Sequence, residues 1–353
     1  NYYYFGLYLV GYLIKLTGIY AEVAFNLAIP TLFALTAVGA YGIAYSAIAP
    51  ADPEHPDAAC GIRRGLGAAL WAPLFVVIIS NLDGFAQIVR ALSTFSVTSF
   101  QSDLPGVQTL VRAGDGLRQI VAGGASLPSY DFWGPSRVIP ATINEFPWWS
   151  FVFADLHPHL IGIPIALLFL AALLTLVRSA RLDWGRQRLY AAALLGLFAL
   201  LLGTLAAINL WELPTYLGLG VLALIVSQYW GRGQIRWGIT IGLSTLYALG
   251  ALLLYAPFFA NYTSIGASGV GIVHTGDDVG LWLLIWGFLG FVVLTWLLWS
   301  SAQPARPLLL NGENGEILVV RPGGFERFLA FAMGRLDDLP RKLHVQKIVG
   351  VRP

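Results

Sequence analysis

About seven long segments of the sequence continue almost without charge for the length of a membrane-spanning helix. About 20 helical residues, each rising about 1.5 Å, cross the roughly 30 Å apolar core of a bilayer. The chain is 57% hydrophobic and only 11% charged, whereas soluble domains carry about a quarter charged residues. The sequence therefore predicts an all-α, polytopic transmembrane helical bundle. Its predicted spans are residues 22–49, 67–89, 159–178, 188–210, 213–230, 237–259 and 280–300.

The two ends of the chain differ from these spans. Residues Tyr2–Leu16 are aromatic and too short for an easy span, and tyrosine favours the membrane interface, so they predict an N-terminal interfacial helix. Residues 302–353 are expected to form a short soluble tail. Within it, the apolar runs Leu308–Leu310 and Ile317–Val320 flank a turn rich in Asn and Gly, which favours a β-hairpin. Residues 1–301 then form the transmembrane domain.

Lys and Arg are concentrated in alternate connections between the predicted spans. Connections of this kind are expected on the cytoplasmic side of a membrane. Seven alternating spans then put the start of the chain outside and the tail in the cytoplasm. The 90–158 loop, the turn at 209–216 and the 261–279 loop would lie outside. The basic residues of the predicted cytoplasmic side are Arg63, Arg64, Arg178, Arg181, Arg186, Arg188, Arg232, Arg236 and those of the tail.

The densest group of potential ligands is Asp155, His157 and His159, where the 90–158 loop meets the third predicted span. Carboxylate oxygen and imidazole nitrogen together suit Zn²⁺, Mn²⁺ or Mg²⁺, with water or phosphate completing the coordination shell. The alternative is structural. In that case Asp155 caps the helix, Pro158 occupies its first turn, and the histidines lie at headgroup level. The sequence leaves both interpretations open.

Arg137 lies further upstream, in an aromatic stretch that also holds Asp131. Its guanidinium offers a planar fork for a phosphate group, and the alternative is an ordered interfacial loop anchored by tryptophans. Glu145 is interpreted as a solvated loop charge, with a second carboxylate near Asp155 as the alternative. These residues are the charged groups of the outer loop that could meet a substrate.

Two further acidic residues border or interrupt apolar segments. Glu212 lies in a tight turn between two spans. It either caps the next helix, with Pro214 in the first turn, or lines an outer cavity together with Asp155. Asp83 interrupts the second predicted span close to Asn81. It is interpreted as a residue that reaches the membrane interface rather than as an intramembrane acid.

Composition and the absence of common motifs narrow the classes of function. The net charge of +2 implies no nucleic-acid partner, and the single cysteine, Cys60, allows no internal disulfide. The sequence has no Walker loop and no GxGxxG, HExxH or GxSxG motif. Membrane lipids are the one partner that the composition implies directly.

Four short motifs resemble those of a known family. They are Tyr2–Gly6, Asn144–Pro147, Asp155–His159 and Asn209–Tyr216. They are similar to motifs of the YYY family of bacterial and archaeal membrane proteins, domain of unknown function 2298, and the resemblance covers most of residues 1–300. That family is similar in turn to the GT-C glycosyltransferases. Those are polytopic enzymes that take a sugar from a polyprenyl-phosphate donor on the non-cytoplasmic face.

The resemblance implies a GT-C-like fold and a membrane glycosyltransferase that uses a polyprenyl-phosphate sugar. It makes Asp155 and Glu212 the candidate catalytic residues. The candidate donor-binding residues are Arg137, Tyr3 and Tyr4. A divalent ion, Mg²⁺ or Mn²⁺, would neutralise the donor phosphate as a Lewis acid. Its candidate ligands are Asp155, His157 and His159.

The start of the chain departs from the pattern of that superfamily. The acidic residue usual in the first outer loop would precede Asn1, so we expect this chain to be part of a larger protein. That carboxylate would act as general base on the acceptor hydroxyl. The alternative function is a non-catalytic subunit of a larger membrane assembly, whose outer loops dock other subunits. A transporter is a weaker option because few polar residues interrupt the spans at mid-depth.

Overall fold

The fold is taken from a computed structural model of the chain. The structure describes residues 3–48, 65–123, 126, 129–179, 187–232, 234–263, 276–302, 308–311, 317–320 and 345–346. Among the basic residues that carry the orientation prediction, Arg63, Arg64, Arg181 and Arg186 lie outside these ranges, as does most of the tail.

Helices account for most of the described chain. Their bounds are α1 Phe5–Thr17, α2 Ala21–Ile48, α3 Gly65–Ile78, α4 Asp83–Ser93, α5 Val107–Gly123, α6 Pro147–Phe153, α7 Pro158–Arg178, α8 Arg188–Ile208, α9 Glu212–Arg232, α10 Trp237–Leu254, α11 Ala256–Ala260 and α12 Val279–Ala302. Six of them, α2, α7, α8, α9, α10 and α12, are long and apolar enough to cross a membrane. The helical bundle and the short apolar helix at the N-terminus are confirmed. The interfacial position of that helix stays a prediction.

The second predicted span, 67–89, is wrong as a single helix. It is broken between α3 and α4, whose axes differ in direction by 74°. The described residues therefore contain six candidate spans, or seven if α3 and α4 together count as one span. The last turns of α3, Leu74–Ile78, are π-helical. The connection then leaves the helical pattern, and the Leu82 amide donates to the Leu284 carbonyl of α12 at 2.7 Å. Two polar residues, Asn81 and Asp83, favour this break because their side chains bond locally.

The fifth helix of the six, α10, is shorter than its prediction of 237–259. It ends at Leu254, and the short α11 follows after Tyr255. Pro257 lies in the first turn of α11, where its missing N–H is tolerated, whereas inside a continuous helix it would remove a hydrogen bond.

The chain divides into two compact units. We call residues 1–78, 154–269 and 297–353 the span unit, and residues 79–153 and 270–296 the loop unit. The core of the span unit is apolar and draws on α7, α8, α9 and α10. Its members include Phe169, Phe198, Leu202, Leu224 and Tyr247.

The loop unit is built from the amphipathic helices α4 and α5 and the segment that follows them. The buried residues of α5 are Ala113, Gly116 and Ile120, spaced as one face of a helix. This face packs against α4 so closely that a Cβ at Gly116 would lie 1.8 Å from the Leu92 carbonyl oxygen.

The described residues of the tail form three short strands. They are β1 Leu308–Asn311, β2 Ile317–Val320 and β3 Val345–Gln346, in the order β1–β2–β3 with antiparallel neighbours. Leu308 pairs with Val320 and Asn311 with Ile317, which is the antiparallel pairing of the predicted hairpin. Its turn lies outside the described residues, and the hairpin stays a prediction. The division at residue 302 and the cytoplasmic position of the tail stay predictions.

Candidate functional site

The candidate residues of the span unit lie together at one end of its helices. At the start of α7, a Cβ on Gly162 would lie 3.8 Å from Ile208 at the end of α8. A Cβ on Gly6 would lie 3.1 Å from Ile161, so the start of α1 is at the same end. The motif Asp155–His159, the turn at 209–212 and the first tyrosines of the chain therefore share one end of the span unit.

Arginines mark the opposite end of this unit. Arg178, the last residue of α7, donates through Nη1 to the carbonyl of Ser46 near the end of α2. Ser227 near the end of α9 donates to Leu176. Helix α8 starts at Arg188, whose neighbour Tyr190 has its hydroxyl 3.3 Å from Ser179 Oγ. Acid and histidine at one end and arginine at the other agree with the predicted arrangement, while the cytoplasmic assignment stays a prediction.

A short polar contact at the first end joins Asp155 and His157. Asp155 Oδ2 and His157 Nδ1 are 2.6 Å apart, and the two side chains are 43% and 50% exposed. An ionised carboxylate can only accept, so Nδ1 is the donor in this contact, and a neutral ring then has its lone pair on Nε2. The preceding residue, Ala154, has φ 58°, in the left-handed region that favours glycine. This turn aims the carboxylate at the imidazole.

The structure excludes helix capping as the role of Asp155. The N-cap of α7 is His157, and it makes no side-chain capping hydrogen bond. Pro158 does occupy the first turn, as expected. The Asp155 carboxylate is instead engaged with the His157 ring.

The third candidate ligand, His159, lies beside the pair. Its ring centroid is 5.4 Å from that of His157, with the planes 41° apart. Among the described residues, no group of three or more His, Cys, Asp and Glu side chains could hold a metal ion. The geometry therefore does not fit a three-ligand site on Asp155, His157 and His159. A divalent ion stays a prediction.

Glu212 is the first residue of α9, and Pro214 lies in the same turn. Its amide donates to the Asn209 carbonyl at 3.0 Å, and Asn209 Nδ2 donates to Glu212 Oε1 at 3.3 Å. The carboxylate thus helps to close the turn between α8 and α9. A negative charge in the first turn is also favourable for a helix. The role in a shared outer cavity stays a prediction.

The two tyrosine candidates pack against the segment that follows α10. The Tyr3 ring centroid is 6.1 Å from that of Tyr262, and Tyr4 is 5.4 Å from Phe258. Tyr3 is buried and Tyr4 is partly exposed. These contacts fix the N-terminus on the end of the span unit that carries Asp155, and a donor-binding role stays a prediction.

Arg137 belongs to the loop unit and has its own partners there. Its Nη1 lies 3.5 Å from Glu145 Oε1 and donates to the Ser136 carbonyl at 2.8 Å. Its guanidinium carbon is 5.6 Å from the Trp133 ring centroid. Glu145 is 14% exposed, so its interpretation as a solvated loop charge is wrong. A phosphate would have to compete with Glu145 for Arg137.

A buried network around Asp83 was largely missed from the sequence. Asp83 is buried, accepts from Gln87 Nε2 at 2.7 Å and lies 3.4 Å from Arg90 Nη2. Asn81 accepts from the Asp83 amide and donates to the Pro135 carbonyl. The sequence feature that could have indicated this network is the pair of polar residues, Asn81 and Asp83, inside an apolar run. Because the network includes Pro135, it ties the helix break to the loop that carries Arg137.

A comparison with protein families matches residues 1–332 to a family described as "Uncharacterized membrane protein (DUF2298)". No curated protein and no solved structure matches the chain.

Proposed function

Since the chain belongs to the DUF2298 family of uncharacterized membrane proteins, we propose that it is a membrane glycosyltransferase. In this proposal it transfers a sugar from a polyprenyl-phosphate donor to a hydroxyl acceptor at the non-cytoplasmic face. The single observation that carries the proposal is the Asp155–His157 pair at the acidic end of the span unit. The resemblance of the sequence motifs to the GT-C superfamily supplies the reaction class.

The pair has the arrangement of a general base and its orienting group. In place of the carboxylate expected before Asn1, His157 accepts the proton of the acceptor hydroxyl on Nε2. Asp155 holds the opposite nitrogen and stabilises the imidazolium that forms. The acceptor oxygen forms a bond to the anomeric carbon of the sugar. The bond from that carbon to the phosphate oxygen breaks, and the polyprenyl phosphate leaves with the electron pair. Both side chains are about half exposed, so a substrate can reach them.

The charge distribution of the span unit supports the proposed face. The arginines that mark the other end are expected in the cytoplasm, which puts Asp155 and His157 at the outer end. A lipid-linked donor has its phosphate at the membrane surface, and α7 starts one residue after His157. The apolar span therefore starts next to His157, where the lipid chain of a bound donor would meet its phosphate group.

The test uses the purified full-length protein in lipid nanodiscs with a radiolabelled polyprenyl-phosphate sugar and a mixture of hydroxyl acceptors. His157→Gln and Asp155→Asn are expected to lower transfer by about 10²–10⁴-fold, the usual contribution of general base catalysis. The matched control is Asp103→Asn, an exposed carboxylate of the loop unit, which should transfer like the wild type. Unchanged transfer in both test variants would contradict the proposal. The same assay with a chelator tests the metal prediction.

One observation favours a second candidate, an accessory subunit of a membrane complex. Helix α12 is the least buried of the candidate spans, with 6% of its most apolar stretch buried. It exposes Trp282, Trp286 and Trp299. Aromatic residues are enriched where proteins contact each other. Solubilisation of native membranes in a mild detergent distinguishes the candidates, because a subunit migrates with stoichiometric partners and a free enzyme migrates alone.

A further inference from the structure

The loop unit contains a cavity between α4 and the segment that precedes Trp133. Its volume is about 420 Å³, which is within the range of about 300–1,000 Å³ that is usual for small-molecule sites. One wall is a face of α4, and Tyr130 and Asp131 contribute to the other. The cavity is therefore large enough for a small ligand, and the proposed sugar transfer does not use it.

The α4 wall is polar along one edge and apolar along the other. Gln87 and Arg90 line one edge, and Ile88 and Leu92 line the other. At about 3.6 residues per turn, Ala91 lies between these two edges. Its side chain is the smallest of this wall, so the cavity has room beside it. A ligand on α4 therefore meets hydrogen-bonding groups on one side and hydrocarbon on the other.

The opposite wall is held against α4 by contacts within the loop unit. Gln87 Oε1 accepts from the Asp131 amide at 3.2 Å, and the Trp133 amide donates to Asp131 Oδ1 at 3.0 Å. A Cβ on Gly84 would lie 2.6 Å from the Tyr130 hydroxyl oxygen, so this tyrosine reaches the first turn of α4. These contacts preorganise an aromatic ring and a carboxylate on one wall.

Two charged side chains of the cavity keep unused hydrogen-bonding atoms. Asp131 Oδ2 accepts no hydrogen bond from the part of the chain that the structure describes. Arg90 is 58% exposed, and its Nη2 lies 3.4 Å from Asp83 Oδ1. Among the described residues, no acceptor binds the Nη1 or Nε groups of Arg90. The cavity therefore offers an acceptor and several donors to a ligand.

The charges around the cavity decide which ligand suits these atoms. Because Asp83 already pairs with Arg90, Asp131 leaves an excess of negative charge. Asp131 would repel a phosphate or carboxylate, which would also compete with Asp83 for Arg90. An amine would bind Asp131 but offers the Arg90 donors no acceptor. A neutral ligand with hydroxyl groups suits both side chains, since a hydroxyl both donates and accepts.

The apolar edge narrows the choice to a ligand that also has a hydrocarbon surface. A sugar ring has hydroxyl groups around its rim and C–H groups on its faces. The C–H groups match Ile88, Leu92 and the ring of Tyr130, whose π face carries partial negative charge. We propose that this cavity is a binding site for a neutral sugar. The sugar ring packs on Tyr130, and its hydroxyls bind Asp131 and Arg90.

This site does not rest on the proposed transfer reaction. It lies in the loop unit, whereas Asp155 and His157 belong to the span unit. The binding experiment contains no lipid-linked donor, so binding and transfer are measured separately. Each proposal can therefore fail while the other holds.

The test uses the purified full-length protein in lipid nanodiscs and isothermal titration calorimetry, with empty nanodiscs as the reference. The probes are the methyl glycosides of glucose, galactose and mannose, and the 6-phosphates of the same sugars. At least one neutral glycoside is expected to bind with a millimolar Kd or better. Its 6-phosphate should bind about tenfold more weakly or worse, because Asp131 repels the added charge.

A first variant tests the polar edge of the site. In Asp131→Asn the side chain keeps an oxygen for the Trp133 amide but loses its charge. This variant should weaken binding of the neutral glycoside by about tenfold, as expected when a hydrogen bond to a charged group is weakened. It should bind the 6-phosphate more tightly than the wild type does. A purely structural role of Asp131 would not reverse the effect between the two ligands.

Two further positions test the space and the aromatic wall. Ala91→Leu fills the cavity with a good helix former and should abolish binding of the glycoside. The matched control is Ala122→Leu, at an exposed position of α5 outside the cavity, which should bind like the wild type. Tyr130→Phe keeps the ring and should keep the binding, whereas Tyr130→Ala should weaken it by about tenfold.

Four outcomes would overturn the proposal. The first is failure of all three neutral glycosides to bind the wild type. The second is binding of a 6-phosphate that equals or exceeds that of its neutral sugar. The third is unchanged binding in both Asp131→Asn and Ala91→Leu. The fourth is binding of cyclohexylamine, a ring-shaped amine without hydroxyls, at least as tight as that of the best glycoside, which would assign the cavity to an amine.

Discussion

Different interactions stabilise the interior of the span unit and the interior of the loop unit. In the span unit, Phe169, Leu202 and Leu205 are completely buried against apolar neighbours on adjacent helices. In the loop unit, polar side chains bind the irregular backbone, next to an aromatic cluster of Phe132, Trp133, Trp149 and Phe153. Asp115 accepts from Ser96 Oγ at 2.8 Å and from the amides of Val97 and Thr98 at 2.9 and 3.1 Å.

The difference follows from the backbone of each unit. A helix satisfies its own amides and carbonyls, so spans can pack through apolar side chains and close contacts alone. The loop unit contains irregular backbone, whose polar groups need other partners. Asn144 Oδ1 accepts from the Ile139 amide, and Trp149 Nε1 donates to the Phe132 carbonyl. The comparison teaches that single polar side chains satisfy the irregular backbone of the loop unit, whereas the spans pack mainly through the shapes of apolar side chains.

The largest effect is expected where two helices of the loop unit, α4 and α5, approach each other most closely. Gly116→Ala puts a methyl group 1.8 Å from the Leu92 carbonyl oxygen, which is backbone and cannot rotate away. The cost should exceed the about 1–3 kcal/mol typical of overpacking, and α4 and α5 should separate. Limited proteolysis of the connection at residues 94–106 measures this separation.

The control for this variant lies two residues away on the same helix. A Cβ on Gly114 meets no atom within 4 Å, so Gly114→Ala should be neutral or slightly stabilising. If both variants resist protease equally well, the close contact between α4 and α5 does not exist in solution.

The next largest effect tests the apolar core of the span unit. Leu202→Ala removes a completely buried side chain and should lower the free energy of unfolding by about 2–5 kcal/mol, because neighbouring helices cannot close the cavity. Leu200→Ala on the same helix removes a side chain that is 46% exposed and should cost much less. Thermal unfolding in detergent compares the two. Equal shifts would show that buried shape does not dominate this unit.

A smaller effect is expected for the polar network of the loop unit. Asp83→Ala leaves the amide of Gln87 without its carboxylate acceptor and should cost about 1–3 kcal/mol. Hydrogen exchange of residues 83–93 reports the loss of order. Asp103→Ala, at an exposed acid, should stay within about 0.5 kcal/mol of the wild type. A result as mild for Asp83 as for Asp103 would refute the role of the network.

The smallest effect concerns the protonation of Asp115. Its hydrogen bond from Ser96, followed by those from nearby amides, lowers the pKa of this carboxyl below its ordinary value. A lowered pKa in the folded state stabilises the protein above the unfolded pKa of about 3.9, and this contribution is lost as the pH falls through the lowered value. Amide protection of Val97 and Thr98 should therefore fall only below about pH 4. In Asp115→Asn this acid-dependent step should be absent.

Sequence reasoning succeeded best where apolar runs were long. The spans near 159–178, 188–210, 213–230 and 280–300 match α7, α8, α9 and α12 closely. It failed at 67–89, because hydropathy does not reveal that Asn81 and Asp83 bond to the loop at Pro135 and to α4. It also failed for Glu145, whose partner Arg137 is eight residues away in irregular backbone.

The candidate site could be predicted in part. The Asp155–His157 contact is local, so the spacing of two residues made it accessible to sequence reasoning. A third ligand position depends on where His159 points in the first turn of α7, and sequence spacing does not fix that direction. The cavity beside Ala91 had no sequence signal of its own, because its two walls come from segments that are far apart in the sequence.

The sequence by itself determined that this protein is a membrane helical bundle, because a bilayer admits only segments that satisfy their own backbone and present apolar side chains. It also determined that Asp155, His157 and His159 lie at the start of one span and Arg178 at its end. The tertiary structure decided which of these polar residues contact each other and which are buried. It joined Asp155 to His157, buried Asp83, and opened a cavity beside Ala91 that Asp131 borders. These features depend on which helix faces meet, and packing between distant segments sets that.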